Sequence, residues 1–373
     1  MFSQTSIPLT ESLSPVTTLE HDVRRKATCD VGVWLPTVCA GTGADIFTLR
    51  LCQGLNARGI RAEITWLPHR AEFLPWTVPV PKPPEWSNVV HVSTWLNPRF
   101  IPDNLPVVAT LHHSIHEPAL RPYKGWVRTA YHQHWLAPFE RRVMRRAQLV
   151  AAVSRFAADS AQNALCEVPI RVIHNGVNTA RFRPLTDPIA PHHPFRLLYV
   201  GGWKNLKGVD LLAPIMHELG GDYLLHYTGG SAAAAAKSAM PTNMIDIGYL
   251  PGDQVVDAMR WADALVFPSY SEGFGLTVAE AMACGLPVVA TQGSSLPEVV
   301  NDGVTGFLCP QGDATAFAQA IRRVASDSAM WRNMSLKAVT RARSVFSEEA
   351  ALDAYFDAYC DALLILDDGS TRL

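Results

Sequence analysis

The chain has 373 residues, of which 48% are hydrophobic and 18% are charged, and its formal net charge is −2 at pH 7. This length favours two domains over one core, and this composition excludes a disordered chain. No run of 18 apolar residues is present, which excludes a membrane-spanning helix. The N-terminus has no basic region followed by an apolar core, so we expect no secretory signal and a cytoplasmic protein.

The small net charge hides an asymmetry between the two halves of the chain. Residues 1–180 carry 18 Lys and Arg against 13 Asp and Glu, a net charge of +5, whereas the remainder carries 14 against 21, a net charge of −7. The first half is therefore the better candidate to contact an anionic partner such as a lipid phosphate or a membrane surface. The excess is too small to predict nucleic-acid binding. The seven cysteines are scattered without C-x-x-C spacing, which predicts reduced thiols and neither a disulfide framework nor a zinc site.

Strands alternate with helices along the first half. Residues 1–28 are polar and rich in Pro, Ser and Thr, which predicts a loose arm. Strands are predicted at residues 31–36, 61–67, 88–93, 106–111, 148–154 and 170–174. Gly41 and Gly43 precede a predicted helix that carries the apolar residues Ile46, Leu49, Leu51 and Leu55 and ends at Gly59. Alternation of this kind predicts a parallel, doubly wound α/β sheet, whose active residues collect at the carboxyl ends of the strands. The two glycines alone do not distinguish a ligand-facing loop from a tight turn.

His112 follows the strand 106–111 directly and therefore lies at such a carboxyl end. His113 and His116 are interpreted as pH-sensitive surface or loop histidines. A zinc site in the H-H-x-x-H pattern is not predicted because no carboxylate or cysteine partner lies nearby in the sequence.

Residues 124–147 read as a helix despite Pro138, with arginines and aromatic side chains interleaved. Such a helix can lie against an anionic bilayer, on the inner face of a membrane. The alternative is that the aromatic residues pack on the sheet of the same domain while the arginines face solvent. Sequence alone leaves both interpretations open.

A polar, proline-rich stretch up to Pro194 indicates a linker, and we place the domain boundary near residue 185. The predicted organisation is a first domain over residues 1–184, a second over 185–345, and a C-terminal helix with its tail over 346–373. In the second domain, strands are predicted at residues 195–200, 222–228 and 243–247, an alanine-rich helix at 231–240, and helices at 313–324, 327–343 and 346–364.

The stretch 262–300 is the most informative part of the sequence. It reads as a strand from Ala264 to Phe267, a glycine-bearing loop, a helix at 276–284, and a second strand at 286–290. The amides of the Gly-Phe-Gly loop precede a helix N-terminus, where an anion such as phosphate is favoured. Glu272 and Glu280 can face one pocket, where carboxylates beside a diphosphate are suited to accept hydrogen bonds from sugar hydroxyls. The stretch therefore predicts a sugar-nucleotide site.

The text EGFGLTVAEAMACGLPVVAT, with Glu272 and Glu280 in E-x7-E spacing, resembles the signature of retaining glycosyltransferases of the two-Rossmann-domain class (GT-B), family 4-like, group 1. The resemblance implies two Rossmann-like domains facing across a cleft and a C-terminal helix that crosses back to the first domain. It also implies a metal-independent hexosyltransferase without a cofactor. Such an enzyme moves a sugar from a nucleotide diphosphate sugar to a hydroxyl of a saccharide or lipid-linked saccharide acceptor. The setting it implies is the assembly of bacterial surface polysaccharide or lipopolysaccharide.

The resemblance also assigns roles to individual residues. His112 and Glu272 act on the donor sugar, and Lys207 and the loop 273–276 meet the diphosphate, whose departing charge they stabilise. Glu280 binds the ribose. The remaining donor-binding positions are the glycine loop at the first strand, the phosphate loop, the loop that lines the nucleobase, and the helix start in the signature: Gly41, Gly43, Gly202, Tyr249, Leu250, Gly273, Phe274, Gly275 and Leu276. Tyr249 and Leu250 also fit an ordinary strand-to-helix turn.

One position departs from the family pattern. Gly202 stands where the family has an arginine that grips the diphosphate, and a glycine cannot make the charge-assisted, bidentate bonds of an arginine. Lys204 is a candidate substitute, and a weaker grip on the diphosphate predicts a high donor KM. The departure also permits a non-catalytic subunit that binds a sugar nucleotide for a partner transferase. A nucleotide-sugar epimerase or a phosphorylase-like protein is the second enzymatic alternative.

Overall fold

The structure is a computed structural model that describes residues 29–113, 115–117, 120, 123, 125–185 and 190–367. The predicted arm 1–28 and Lys124 lie outside the described residues, as do residues 186–189 of the predicted linker and the tail 368–373. Within the described residues, the chain forms two six-stranded parallel sheets.

The first sheet contains the strands β1 Gly32–Val38, β2 Arg61–Leu67, β3 Val89–Ser93, β4 Val107–Leu111, β5 Leu149–Ala152 and β6 Ile170–Val172. Their order is β2-β1-β3-β4-β5-β6, and every pair is parallel. The strand order reverses beside β1, so the loops after β1 and β3 diverge and leave a crevice at the carboxyl edge.

The helices of the first half are α1 Gly43–Ala57, α2 Arg70–Phe73, α3 Trp126–Tyr131, α4 Ala137–Arg146 and α5 Arg155–Ala164. A π-helical turn, His132–Leu136, joins α3 to α4, so the helix predicted at 124–147 is confirmed as one helical stretch over residues 126–146. Pro138 lies just after the π-helical turn, where the backbone bonding already differs from that of a regular α-helix.

The second sheet contains the strands β7 Phe195–Tyr199, β8 Tyr223–Tyr227, β9 Met244–Asp246, β10 Ala264–Phe267, β11 Val288–Thr291 and β12 Gly306–Cys309. Their order is β12-β11-β10-β7-β8-β9, again parallel throughout, with the reversal between β7 and β10. Its helices are α6 Leu212–Leu219, α7 Asp253–Trp261, α8 Leu276–Ala283, α9 Leu296–Val299, α10 Ala314–Ser326 and α11 Ser328–Val345.

Strand β10 shows why the apolar runs form central strands. Leu265 and Phe267 lie in the core on one face of the sheet, and Ala264 and Val266 lie in the core on the other face. A strand that is buried on both faces needs a continuous apolar run, because successive side chains point to opposite faces.

Helix α12, Glu348–Asp367, crosses back to the first domain, as the family resemblance implies. Its residues Leu352, Tyr355 and Tyr359 are buried among side chains of the first sheet. The Tyr359 hydroxyl lies 2.6 Å from Nδ1 of His91 on β3, and Nε2 of His91 lies 2.9 Å from the Thr110 hydroxyl on β4. Burial, with a smaller contribution from the charge of a protonated His112, lowers the pKa of His91 to about 3. The crossover helix therefore completes the core of the first domain around a neutral histidine.

The structure corrects the helix predicted at residues 231–240. The segment forms only two short 3-10 turns, Gly230–Ala233 and Lys237–Ala239. Lys237 lies 2.6 Å from Asp246 at the end of β9, and the same carboxylate accepts the amides of Gly229 and Gly230. These bonds fix the segment at the strand end, and an isolated helix of about ten residues has too little stability to resist them.

Two of the four apolar residues named in the predicted helix α1 face outward. Ile46 is 50% exposed and Leu49 is 43% exposed, whereas Thr48, Leu51, Cys52 and Leu55 are buried. The sequence also did not predict α6, α7 and β12.

Candidate active site

A cavity of about 540 Å³ lies between the carboxyl edges of the two sheets. The first domain contributes residues of α1 together with Trp95, His112 and His113, and the second contributes Lys204, Leu206, Lys207 and residues 271–276. Helix α12 contributes Glu348, Ala351, Leu352 and Tyr355. The carboxyl ends of the strands of both sheets therefore meet at one cavity, which is where doubly wound sheets commonly bind their ligands.

The signature loop reaches the cavity because two glycines let the backbone turn and approach its neighbours. Gly275 has φ +91°, a left-handed conformation that favours glycine, and it caps the N-terminus of α8. A Cβ at Gly273 would lie 2.0 Å from the carbonyl oxygen of His112, so the loop touches the backbone of the opposite domain. The Ser154 hydroxyl donates to the Gly273 carbonyl at 2.6 Å, which adds a second contact between the domains.

Lys207 and Glu272 form an ion pair in the cavity, with Nζ 2.6 Å from Oε1. The backbone of Glu272 is held on both sides, since its N–H donates to the Ser294 hydroxyl and its carbonyl accepts from the Ser295 hydroxyl, each at 3.1 Å. Ser294 has φ +50°, which is uncommon for a residue with a Cβ. The carboxylate and the lysine are thus presented together by two loops of the second domain.

His112 faces the cavity with the Phe47 ring edge-on at 4.6 Å. Although the histidine keeps some exposure to the cavity, the surrounding atoms bury it enough to lower its pKa to about 4. The imidazole is therefore neutral near pH 7 and can donate or accept a hydrogen bond without carrying a charge.

Glu280 is buried in α8 and contacts the opposite domain. Both terminal nitrogens of Arg50 on α1 lie 3.3 Å from Glu280 Oε1. Burial raises the pKa of Glu280, and Arg50, with a smaller contribution from Arg181, opposes that rise. Arg50 lines the cavity, whereas Glu280 is not part of the cavity wall.

The predicted site residues fall into two groups. Those in the cavity wall come from α1, the residue after β4, the loop 200–208 after β7 and the signature loop: Gly43, His112, Lys204, Lys207, Glu272, Gly273, Phe274, Gly275 and Leu276. Those outside the wall are Gly41, Gly202, Tyr249, Leu250 and Glu280. Gly202 is exposed, and Tyr249 is 86% exposed. The roles of both groups stay predictions.

His116 was interpreted as a surface or loop histidine, and the structure places it in the loop after β4 but buried rather than at the surface. Its side chain is only 7% exposed, and Nε2 lies 2.5 Å from Oε2 of the buried Glu140. Oε1 of Glu140 accepts the Thr94 hydroxyl at 3.1 Å. The pair is buried because Glu140 lies on the inner face of α4, a partner 24 residues away that the H-H-x-x-H pattern does not reveal.

A further contact between the domains involves Glu298. The carboxylate of Glu298 on α9 accepts the backbone N–H groups of Arg155 and Phe156, each at 2.7 Å, at the N-terminus of α5 in the first domain. His174 stacks on Phe274 of the signature loop and lies 3.6 Å from Glu298. The sequence did not reveal the roles of Arg50, Ser154, Ser294 and Glu298, because their partners are distant in the chain. Only Glu298 stands in a recognisable local pattern, as an acidic residue in the first turn of the short helix α9.

The arginines of the helical stretch 126–146 fall into two groups. Arg141 donates to the Leu165 carbonyl and Arg146 donates to three carbonyls of the loop 102–105, so these two arginines serve the fold. Arg128, Arg142 and Arg145 are exposed, and Trp126 is 83% exposed.

Two further features are absent from the part of the chain that the structure describes. No described helix is both long and apolar enough to cross a membrane. No group of three or more His, Cys, Asp or Glu side chains in the described ranges is arranged to hold a metal ion.

Two doubly wound parallel sheets that face each other across a cavity, with a C-terminal helix returning to the first, define the GT-B architecture. Solved structures agree with this class. Sucrose-phosphate synthase from Thermosynechococcus elongatus aligns with a TM-score of 0.73 at 20% identity, covering 91% of this chain and all of that chain. HepE from Anabaena, solved in complex with UDP and glucose, aligns with a TM-score of 0.65 at 16% identity, covering 88% of this chain and 99% of that chain. At these identities the likeness shows the fold.

Sequence comparisons give the family. Residues 194–327 match the family model described as glycosyl transferases group 1, and residues 84–181 match the model described as Glycosyltransferase Family 4. The chain therefore belongs to the group 1, family 4-like glycosyltransferases.

Curated relatives match over part of their length. D-inositol 3-phosphate glycosyltransferase of Streptomyces avermitilis is 31% identical over 255 residues, which cover 60% of this chain and 55% of the relative. N-acetyl-alpha-D-glucosaminyl L-malate synthase of Bacillus anthracis is 35% identical over 173 residues, which cover 45% of each chain. The chain thus matches about half the length of these relatives.

Proposed function

We propose that the protein is a hexosyltransferase that moves a sugar from a nucleotide diphosphate sugar to a hydroxyl acceptor. The observation that carries the proposal is the Lys207–Glu272 pair, which lies in the interdomain cavity beside the loop 273–276 and opposite His112. A cation and backbone amides suit a diphosphate, and a carboxylate suits sugar hydroxyls.

In the proposed donor complex, Lys207 and the amides of residues 273–276 bind the diphosphate, and Glu272 accepts hydrogen bonds from the sugar hydroxyls. Glu280 binds the ribose, and residues 248–250 line the base. The structure of HepE in complex with UDP and glucose supports a donor of this class, because that protein shares the fold.

The proposed transfer retains the anomeric configuration. The bond between the anomeric carbon and the β-phosphate oxygen breaks, and the acceptor oxygen forms its bond to that carbon on the same face. The acceptor proton passes to the departing phosphate oxygen, whose charge Lys207 and the loop amides stabilise. His112, neutral at pH 7, positions the sugar by hydrogen bonding. No side-chain nucleophile, metal ion or cofactor is assigned to this reaction.

The proposed acceptor is a saccharide or lipid-linked saccharide in the assembly of bacterial surface polysaccharide or lipopolysaccharide, a setting that the family resemblance favours. The two curated relatives are named for smaller acceptors, inositol phosphate and malate. An acceptor panel for this protein therefore includes both of these compounds beside saccharides.

Donor binding and transfer test the proposal in two steps. A nucleotide sugar that binds the folded protein raises its Tm, so a thermal-shift panel of UDP, GDP and ADP sugars identifies the donor. Release of nucleoside diphosphate is then measured with and without each acceptor, for the wild-type protein and for Glu272→Gln and Lys207→Met. We expect each variant to lose at least 100-fold in transfer rate, on the order of one charged hydrogen bond aimed at the transition state.

A matched control is Glu85→Gln, which removes an exposed glutamate just before the N-terminal end of β3, at the edge opposite the cavity. Wild-type transfer by Glu272→Gln would contradict the proposal. An epimerase would convert the sugar without releasing the nucleoside diphosphate, and a non-catalytic subunit would bind the donor without hydrolysing or transferring it.

We also propose that the helical stretch 126–146 rests on the inner face of an anionic membrane. Phe73 contacts Tyr131 and Trp76 contacts Trp135, with ring centroids 5.7 Å and 6.2 Å apart. Trp76 is 60% exposed, and the far more exposed Trp126 begins the same helical stretch. Aromatic side chains beside exposed arginines suit a bilayer interface.

Sedimentation with liposomes tests this contact. The protein is expected to sediment with anionic vesicles and to stay in solution with neutral ones, and Trp126→Ser is expected to weaken the association. Equal partitioning onto both kinds of vesicle would contradict the proposal.

A further inference from the structure

Arg50 reaches the cavity from the domain opposite the signature. It lies on α1, its side chain is 29% exposed, and it forms part of the cavity wall. Its guanidinium lies between the cavity and Glu280, since Glu280 is bonded to Arg50 and is absent from the wall. The carboxylate that is proposed to bind the ribose is therefore covered by a cation of the first domain.

The contact between Arg50 and Glu280 is a loose one. Both guanidinium nitrogens approach the same oxygen, Oε1, at 3.3 Å, which is longer than the 2.7–2.9 Å that is usual for charge-assisted hydrogen bonds. Within the described part of the chain, the structure records no hydrogen bond at Oε2. A pair with this geometry lacks the two parallel bonds that make arginine–carboxylate contacts strong, so its partners can be exchanged at low cost.

Both acids of the E-x7-E pattern hold a cation of the cavity wall in this structure. Glu272 holds Lys207 at 2.6 Å, and Glu280 holds Arg50. The described wall contains one arginine, Arg50, and the family's arginine is replaced by Gly202 in this chain. A guanidinium is thus present in the cavity although the position that normally supplies it is a glycine.

We propose that Arg50 is a ligand of the donor's diphosphate, supplied by the first domain and held by Glu280 until the donor binds. This inference rests on the proposed function. When the donor binds, the phosphate oxygens take the guanidinium and Glu280 is released to accept the ribose hydroxyls, so each charged group exchanges one partner for another. Because Arg50 and Lys207 belong to different domains, the same diphosphate then links the two halves of the protein.

The test compares ligands that differ only in the phosphates. Wild-type protein is titrated calorimetrically with UDP, GDP and ADP to find the nucleoside diphosphate that it binds, and the matching nucleoside is titrated by ligand-observed NMR. Both titrations are repeated with Arg50→Met and Arg50→Lys. The control is Arg58→Met, which removes the arginine that directly follows the same helix and pairs with Asp353 at 2.8 Å on the exposed surface.

We expect Arg50→Met to weaken the nucleoside diphosphate by roughly 10- to 100-fold, the range for a hydrogen bond to a charged group. The affinity for the nucleoside should not fall, because loss of Arg50 leaves Glu280 free to accept the ribose hydroxyls. Arg50→Lys should recover part of the lost diphosphate affinity, and Arg58→Met should match the wild type. Circular dichroism and Tm establish that each variant is folded, and Arg50→Lys keeps the positive charge should Arg50→Met fail to fold.

Two outcomes would overturn this inference without affecting the proposed function. One is that Arg50→Met binds the diphosphate with wild-type affinity. The other is that Arg50→Met loses affinity equally for diphosphate and nucleoside, which would place Arg50 at the ribose. If Arg50→Met does not fold, Arg50→Lys replaces it in the test. The inference is then overturned if Arg50→Lys binds the diphosphate with unchanged affinity and the nucleoside more weakly. Failure of the wild-type protein to bind any of the three diphosphates would instead overturn the proposed function, and this inference with it.

Discussion

Replacement of Glu298 tests whether the contact at the N-terminus of α5 holds the two domains together. The carboxylate accepts two backbone N–H groups of the first domain at 2.7 Å, where the dipole of α5 also favours a negative charge. Burial alone would raise the pKa of Glu298, but His174 and the two N–H groups outweigh burial and hold the pKa below its usual value. The group is therefore charged at neutral pH and contributes to closure there.

The expected magnitude follows from these two bonds. A hydrogen bond to a charged group contributes about 1.5–3 kcal/mol. The side chain keeps 23% exposure, and water replaces part of both bonds when the domains separate, so we expect Glu298→Ala to cost about 1.5–3 kcal/mol in total. This loss corresponds to a shift of roughly 10- to 100-fold from the closed toward the open arrangement. Glu298→Gln keeps one acceptor oxygen and should give a smaller shift.

Small-angle X-ray scattering on ligand-free protein measures this shift as an increase in the radius of gyration. Glu85→Gln has the same change of charge as Glu298→Gln and should scatter like the wild type. A scattering curve and a donor affinity of Glu298→Ala that both match the wild type would refute the assignment of Glu298 as a closing contact.

Three further variants or conditions have defined outcomes. Gly273→Ala should lower transfer at least tenfold while leaving circular dichroism unchanged, because its Cβ would lie 2.0 Å from the His112 carbonyl oxygen and must displace the loop; a fully active variant would contradict this close approach. Since the pKa values of His91 and His112 fall from 6.5 to about 3 and about 4, each must be neutral in the folded protein. Stability should be steady above pH 6.5 and should fall as the pH drops toward 4, by up to about 1.4 kcal/mol per pH unit for each histidine; equal free energies of unfolding in urea at pH 7 and pH 5 would contradict this. Lys204→Ala should raise the donor KM several-fold if Lys204 replaces the family's arginine, and an unchanged KM would discard that substitution.

The signature stretch was predictable because its structure is local. The strand at Ala264–Phe267 has the predicted bounds, and the helix predicted at 276–284 forms over Leu276–Ala283. The second strand begins two residues later than predicted, at Val288, because the Leu286 N–H still bonds to the Ala281 carbonyl at the end of α8 and Pro287 has no backbone N–H to donate to the sheet. Apolar runs bounded by Gly and Pro carry this information within a few residues.

Contacts that join distant parts of the chain were not predictable. Arg50 and Glu280 are 230 residues apart, and neither has a local pattern that names its partner. The arginines of the helical stretch 126–146 illustrate the same limit, because Arg141 and Arg146 look like their exposed neighbours in sequence, yet they bind carbonyls of other loops. Segment 231–240 failed for a related reason, since bonds to Asp246 override the helix propensity of alanine.

The crossover helix α12 has a consequence for biosynthesis. Tyr355 and Tyr359 fill the interior of a domain whose six strands all precede residue 173, but the ribosome makes these tyrosines only after the entire second domain. The first domain therefore cannot finish folding while it emerges, although amino-terminal domains commonly do so during translation. Until α12 arrives, an apolar surface around His91 stays open to chaperones, and a fragment that ends at the linker would retain that defect permanently.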